Sequence, residues 1–133
     1  MLAYIRTIPD GTSLAFIFGD INGLKKENDT KGHAAGDRLI QRSAAVLVEA
    51  ADSEHVFRMG GDEFLLIVED KTAQEAATIL RKLQATCAER RLSVALGCTV
   101  KTTPLASIDA VLSETDALMY ENKRRMHQHQ AQP

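Results

Sequence analysis

Apolar residues along the chain recur with two periods, and the places where the period changes divide it into elements. Ser13–Phe18 is apolar at both Leu14/Phe16/Phe18 and Ala15/Ile17, which predicts a strand covered on both faces and therefore central. From about Gly23 to Asp29 a short polar helix is expected, ending at Gly32, a residue able to take the left-handed conformation of a helix terminus. A longer helix follows over about Ala34–Ala50, with Leu39, Ile40, Ser43, Val46, Leu47 and Ala50 on one face. Val56–Val68 consists of two apolar runs around Gly60-Gly61, the pattern of a β-hairpin. A two-residue turn there needs positive φ, which glycine adopts without a Cβ clash. Thr72-Ala73-Gln74-Glu75 is a capping box opening a helix to about Arg90, whose core face is Ala76, Ile79, Leu80, Leu83 and Cys87. Ser93–Val100 alternates as a half-buried strand and Pro104 ends it. A last helix from Ser107 turns Ile108, Val111, Leu112, Thr115 and Met119 inward, and the tail from Met126 is expected to fray. Met1–Thr7 has short helical character and ends at the turn signal Pro9-Asp10-Gly11. The order β-α-α-β-β-α-β-α predicts an α+β fold, a mostly antiparallel sheet with a central hairpin, flanked by helices.

Length and composition narrow this only slightly. The 133 residues, 44% hydrophobic and 26% charged, suit one domain with a real core. A net charge of −2 argues against a nucleic-acid surface driven by bulk charge, while leaving room for a small phosphate pocket. Cys87 and Cys98 lie in apolar contexts and read as small core residues in a reducing compartment. No run reaches membrane-spanning length and no signal peptide is evident, so a cytoplasmic location is expected, with no membrane insertion by this domain.

Candidate chemistry gathers at the strand ends. Asp20 is the first acid after the first strand; with the backbone carbonyl of Ile21 it could form a hard-metal corner, or it could simply cap the helix near Asn22. Asp62 and Glu63 stand at the mouth of the second hairpin strand, where they could handle cations and phosphates or be solvated turn acids. On a regular strand these neighbours point to opposite faces, so an equal share in one ion is not expected. Lys25 lies one turn beyond Asp20, either facing phosphate or solvated. Asp37 falls in the first turn expected of the longer helix, where the helix dipole alone favours an acid. His33 just before it is either a helix-start hydrogen-bonder or a substrate contact.

Four motifs occur in order: Asp20-Ile21-Asn22-Gly23-Leu24-Lys25, then Asn28-Asp29, then Gly32-His33-Ala34-Ala35-Gly36-Asp37, then Arg58-Met59-Gly60-Gly61-Asp62-Glu63-Phe64. Together they resemble the GGDEF domain family, the diguanylate cyclases, over roughly Leu14 to Arg125. The resemblance implies a palm-like domain shared with nucleotidyl cyclases, and condensation of two GTP into cyclic di-GMP with release of pyrophosphate. It implies Mg2+ (or Mn2+), one GTP per subunit, and a homodimer for catalysis. Metal ligation would fall to Asp20, the Ile21 carbonyl and Asp62, and 3′-hydroxyl deprotonation to Glu63 with Asp62. Lys25 and Lys123 would meet phosphate. Asn28 and Asp37 would recognise guanine, with His33 beside them. A non-catalytic module that binds GTP and regulates an attached domain, such as a cyclic di-GMP phosphodiesterase, is the competing expectation.

The sequence also departs from the family pattern. An Arg expected one turn after Lys123 falls at His127, and Gly23-Leu24 replaces a bulkier residue. The inhibitory Arg-x-x-Asp is replaced by Ala51-Asp52-Ser53-Glu54, which predicts no product inhibition there. The usual opening Asp-x-Leu-Thr helix is absent, so the chain is expected to begin partway through that helix, as a piece of something larger. No strand is expected after the last helix. All of the proposed chemistry requires Asp20 and Asp62 to meet in space.

Overall fold

The structure, a computed structural model, describes residues 1–53 and 55–131. Glu54, the last residue of the replaced inhibitory motif, and the end of the tail expected to fray lie outside the described residues. In chain order the elements are α1 (Leu2–Arg6), β1 (Ser13–Ile21), α2 (Leu24–Lys31), α3 (His33–Ala51), β2 (Val56–Arg58), β3 (Glu63–Glu69), α4 (Ala73–Glu89), β4 (Val94–Thr102) and α5 (Ile108–Ala131). The four strands form one sheet in the order β2-β3-β1-β4, every neighbouring pair antiparallel.

β1 is central because neither face can be left in water: Leu14, Ala15, Phe16 and Ile17 are all fully buried. Strand alternation sends Ala15, Ile17 and Ile21 into a core with Leu66 and Val68, under Val46 and Leu47 of α3 and Leu83 of α4. Leu14, Phe16 and Phe18 go to the opposite face with Leu65 and Ile67, under Val111 and Met119 of α5. Tyr4 of α1 borders that second core, its ring stacked on His55 at 3.8 Å between centroids. Burial, with Glu69 nearby, pushes the Tyr4 hydroxyl up to about 12. The capping box of α4 forms as expected, with the Glu75 amide donating to Thr72 Oγ1 and the Thr72 amide donating to Glu75 Oε1, both at 3.1 Å.

Four expectations need correction. β1 does not stop at Phe18 but runs to Ile21, because β4 pairs with it over its whole length. Asp20 therefore lies inside the strand, directly opposite Glu63, and α2 is entered through Gly23 at φ 78° rather than through an Asp20 cap. The hairpin is not central, since β2 forms the sheet edge and only β3 is interior. Its turn is not a two-residue reversal on glycine φ: Met59 N–H donates to the Glu63 carbonyl at 2.9 Å around Gly60, Gly61 and Asp62, and neither glycine has left-handed φ. The Arg58 guanidinium pins this loop, donating to the Gly60 carbonyl at 3.2 Å and the Gly61 carbonyl at 2.8 Å. Finally, regular helix does not end at Met126: α5 continues to Ala131, and Met126 packs against the second core.

α5 is seated on β4 by three contacts. Gly97 of β4 lies so close beneath the helix that a Cβ built on it would be 2.3 Å from the Met119 amide nitrogen. Close by, the Leu96 amide on the outer edge of β4 donates to Asn122 Oδ1 at 2.9 Å. Thr115, fully buried, closes the seat with a 2.7 Å hydrogen bond to Thr99.

Candidate active site

The sheet brings three acids to one corner. Asp20 and Glu63 are cross-strand partners of β1 and β3, and both lie on the α5 side, the side of Phe18 and Leu65. Asp62 belongs to the loop rather than to β3, so strand alternation does not govern it and it can approach the same corner as Glu63. The expectation that the two would face apart assumed a regular strand, to which Asp62 does not belong. The Ile21 N–H donates to the Asp62 carbonyl at 2.9 Å, which ties the loop to the end of β1. The Asp62 charge acts on Asp20 and disfavours its ionised form.

Asp20 is 5% exposed. Its Oδ2 accepts from Lys123 Nζ of α5 at 2.9 Å, across 103 positions of sequence, while its Oδ1 is buried with no hydrogen-bond partner. Burial raises its pKa; the Lys123 hydrogen bond opposes this and the Asp62 charge adds to it, leaving a net upward shift. Glu63 is raised as well, first by burial and then by Asp20, Asp116 and Asp62. Lys123 is raised chiefly by its hydrogen bond to Asp20, and further by the charges of Asp62 and Glu63.

The upward shifts have a sign that can be tested. Because the folded pKa values of Asp20 and Glu63 exceed their ordinary 3.8 and 4.5, the native state keeps protons that the unfolded chain has released. Their contribution to stability therefore declines as pH rises from about 4 through the raised values. Urea unfolding of the metal-free protein between pH 4 and 7 is expected to show this decline more steeply in the wild type than in Asp62→Asn, which removes one of the repelling charges.

A buried carboxylate oxygen without a donor, beside a second carboxylate, is the kind of corner that a hard divalent cation satisfies. Among the described residues no three His, Cys, Asp or Glu side chains converge as a closed cage. Mg2+ is commonly held by one or two carboxylates, with water and substrate phosphate completing its shell, and the unpartnered Asp20 Oδ1 is an oxygen of that kind.

The remaining candidate residues lie along α2 and the start of α3. Lys25 is exposed in the first turn of α2. Asn28 is half-buried with its amide laid over Gly36: a Cβ there would be 1.7 Å from Asn28 Oδ1, an atom that has no hydrogen-bond partner. Only glycine at position 36 leaves room for this amide. His33 and Asp37, both exposed, are four residues apart on one face of α3, and Asp37 adjoins Gly36. Asp37 stands just past the first turn, so the dipole accounts for it less well than expected. Depressions of about 340 Å³ beside α1 and Pro104, and about 330 Å³ around Ser53 and Asp70, lie at the other end of the strands.

Sequence reasoning missed several residues that shape the corner: Arg58, Asn122, Gly97 and Asp116. Arg58 was visible within its motif but its task was not. For Asn122 and Gly97 no local signal exists, because their partners lie on another element.

An antiparallel sheet with acids at the end of its central strand and in the adjoining hairpin loop, backed by helices on both faces, is the palm of the nucleotidyl cyclases. The family model described as Diguanylate cyclase, GGDEF domain matches residues 4–129, and the chain belongs to that family. A Streptomyces griseus protein, "Uncharacterized protein in hutH 5'region", is 33% identical over 122 residues, which are 86% of this chain and 51% of that protein. The bifunctional diguanylate cyclase/cyclic di-GMP phosphodiesterase MucR of Pseudomonas aeruginosa is 30% identical over 127 residues, 89% of this chain and 18% of MucR. The chain thus spans about half, or less, of the length of these relatives. The GGDEF domain of DgcB from Caulobacter crescentus, solved in complex with c-di-GMP, superposes with a TM-score of 0.73 at 28% identity, covering 85% of this chain and 73% of that one. Among the described residues no helix is long and apolar enough to cross a membrane.

Proposed function

We propose that this domain is a diguanylate cyclase that joins two GTP molecules into cyclic di-GMP with release of two pyrophosphates. The observation that carries the reading is the buried Asp20 with a free Oδ1, set against the Asp62 loop. Asp20, Asp62 and the Ile21 carbonyl hold Mg2+ or Mn2+, which when bound neutralises phosphate charge. Glu63, whose raised pKa suits a proton acceptor, takes the proton of the 3′-hydroxyl. The freed oxygen bonds to the α-phosphorus of the other GTP as the bond to pyrophosphate breaks, and the same step repeated in the opposite sense closes the ring. Lys25 and Lys123 stabilise the phosphate charge. Asn28 and Asp37, with His33 at the same edge, recognise guanine through amide and carboxylate hydrogen bonds.

Since each 3′-hydroxyl must reach the other nucleotide's phosphate, two domains face one another, one GTP in each. The partners are thus GTP and a second copy of the chain, in the cytoplasm where GTP is available; no nucleic acid takes part. Purified protein at high concentration, and the same protein fused to a dimerising coiled coil, should convert GTP with Mg2+ into cyclic di-GMP and pyrophosphate in a 1:2 ratio by chromatography. The fusion should be faster at low protein concentration. GTP binding without product from either form would overturn the catalytic reading in favour of a nucleotide-binding regulatory module.

A further inference from the structure

We propose that Lys123 is a built-in counter-cation of the metal corner: its ammonium occupies the charge position of the divalent ion in the ligand-free domain and is exchanged for that ion on binding. The inference rests on the metal reading of Asp20 and Asp62 given above and adds a regulatory step to it.

Geometry supplies the argument. Lys123 Nζ lies 2.9 Å from Asp20 Oδ2, and its side chain keeps only 26% of its exposure against 7% for that of Asp20. The charges of Asp62 and Glu63 also act on this ammonium, and that of Asp116 of α5 acts on Glu63. One ammonium among three carboxylates leaves an excess negative charge, and it satisfies only one Asp20 oxygen; the other stays unpartnered. The corner is therefore buried yet unsaturated. A divalent ion neutralises it more fully than the lysine does, but must first displace it. α5 cannot swing away to allow this, because Gly97 and the Asn122 bond to the Leu96 amide seat it on β4. The four-carbon stem of Lys123 is the part that moves.

Two consequences follow. Metal alone must compete with a resident cation and binds weakly. Metal arriving with nucleotide binds more tightly, because the displaced ammonium then has phosphate to pair with in place of Asp20. The lysine thus discriminates against an ion without its substrate.

The test uses Mn2+ alone as the probe, with binding followed by electron paramagnetic resonance or calorimetry on the metal-free domain. Lys123→Met keeps the stem and removes the charge, and is expected to bind Mn2+ about tenfold more tightly than wild type. Asp20→Asn is expected to abolish that binding. Equal or weaker binding by Lys123→Met, with binding still dependent on Asp20, overturns the counter-cation and leaves the metal reading standing. No Asp20-dependent Mn2+ binding by either protein, with or without a GTP analogue, overturns both. A second measurement needs no variant: the Nζ resonance of Lys123 in 15N-labelled wild-type protein should shift on Mg2+ addition as its carboxylate bond breaks. A resonance that stays fixed at saturating Mg2+ would contradict the exchange.

Discussion

Replacing Asp20 by asparagine is expected to reduce cyclic di-GMP formation by at least about 10²–10³-fold, the range seen when one preorganised charge-stabilising group is removed. Thermal stability should hold or rise slightly. The two outcomes have separate causes. Activity falls because asparagine offers a neutral amide where a divalent ion needs a carboxylate. Stability is preserved because the ionised Asp20 is disfavoured in the fold, by burial first and by the Asp62 charge beside it, with the Lys123 hydrogen bond offsetting only part of this. A carboxylate kept for stability would show the reverse, a lower melting temperature with little change in turnover. Parallel melting curves and product assays on wild type and variant decide the matter, and a drop in stability matching the loss of activity would remove Asp20 from the proposed chemistry.

Gly97→Ala should have the largest effect on the fold itself. The added methyl would meet the Met119 nitrogen at 2.3 Å, the Thr115 carbonyl oxygen at 2.7 Å and Met119 Cα at 2.8 Å, all of them atoms of the α5 backbone or directly attached to it. No side-chain rotation relieves such a contact, so the helix must lift from β4. A cost of about 3 kcal/mol, at the upper end of the usual overpacking range, would lower the melting temperature by roughly 10 °C for a domain of this size. Lifting α5 also draws Lys123 from Asp20 and Asn122 from the Leu96 amide. The variant that still folds should therefore lose both the burial that raises Asp20 and the Lys123 hydrogen bond that opposes it, measurable as a changed carboxyl titration by NMR. A Gly97→Ala protein as stable as wild type would mean that the helix is not seated as described.

Much of the fold was legible because it depends on local rules. The all-apolar Leu14–Phe18 run could only be an interior strand, and the periodic faces of α3, α4 and α5 are the faces that the structure buries. The Thr72/Glu75 box formed because both partners lie within one helical turn. The reading faltered where a neighbouring strand intervened. β1 extends to Ile21 because β4 continues beside it, and no property of Gly19-Asp20-Ile21 alone asks for that. The hairpin glycines suggested a turn made by their own φ freedom, whereas Arg58 holds a longer loop through its carbonyls. The acids Asp20, Asp62 and Glu63 were all named from their motifs, but the shared face of Asp20 and Glu63, and the burial of Asp20, follow from strand register, while Asp62 is tied to the end of β1 through the loop.

What the sequence by itself determined is the order of elements, which faces are apolar, and the set of chemical groups at the two strand ends, since periodicity and motif spacing are properties of short stretches. Tertiary structure alone decided that a lysine 103 positions away sits on Asp20, that Asn122 closes an open edge of β4, and that Gly97 lets α5 approach closely enough for both. The physical reason is range. Secondary structure is governed by neighbours within a few residues, whereas the charge state and burial of a carboxylate depend on whatever the folded chain packs against it.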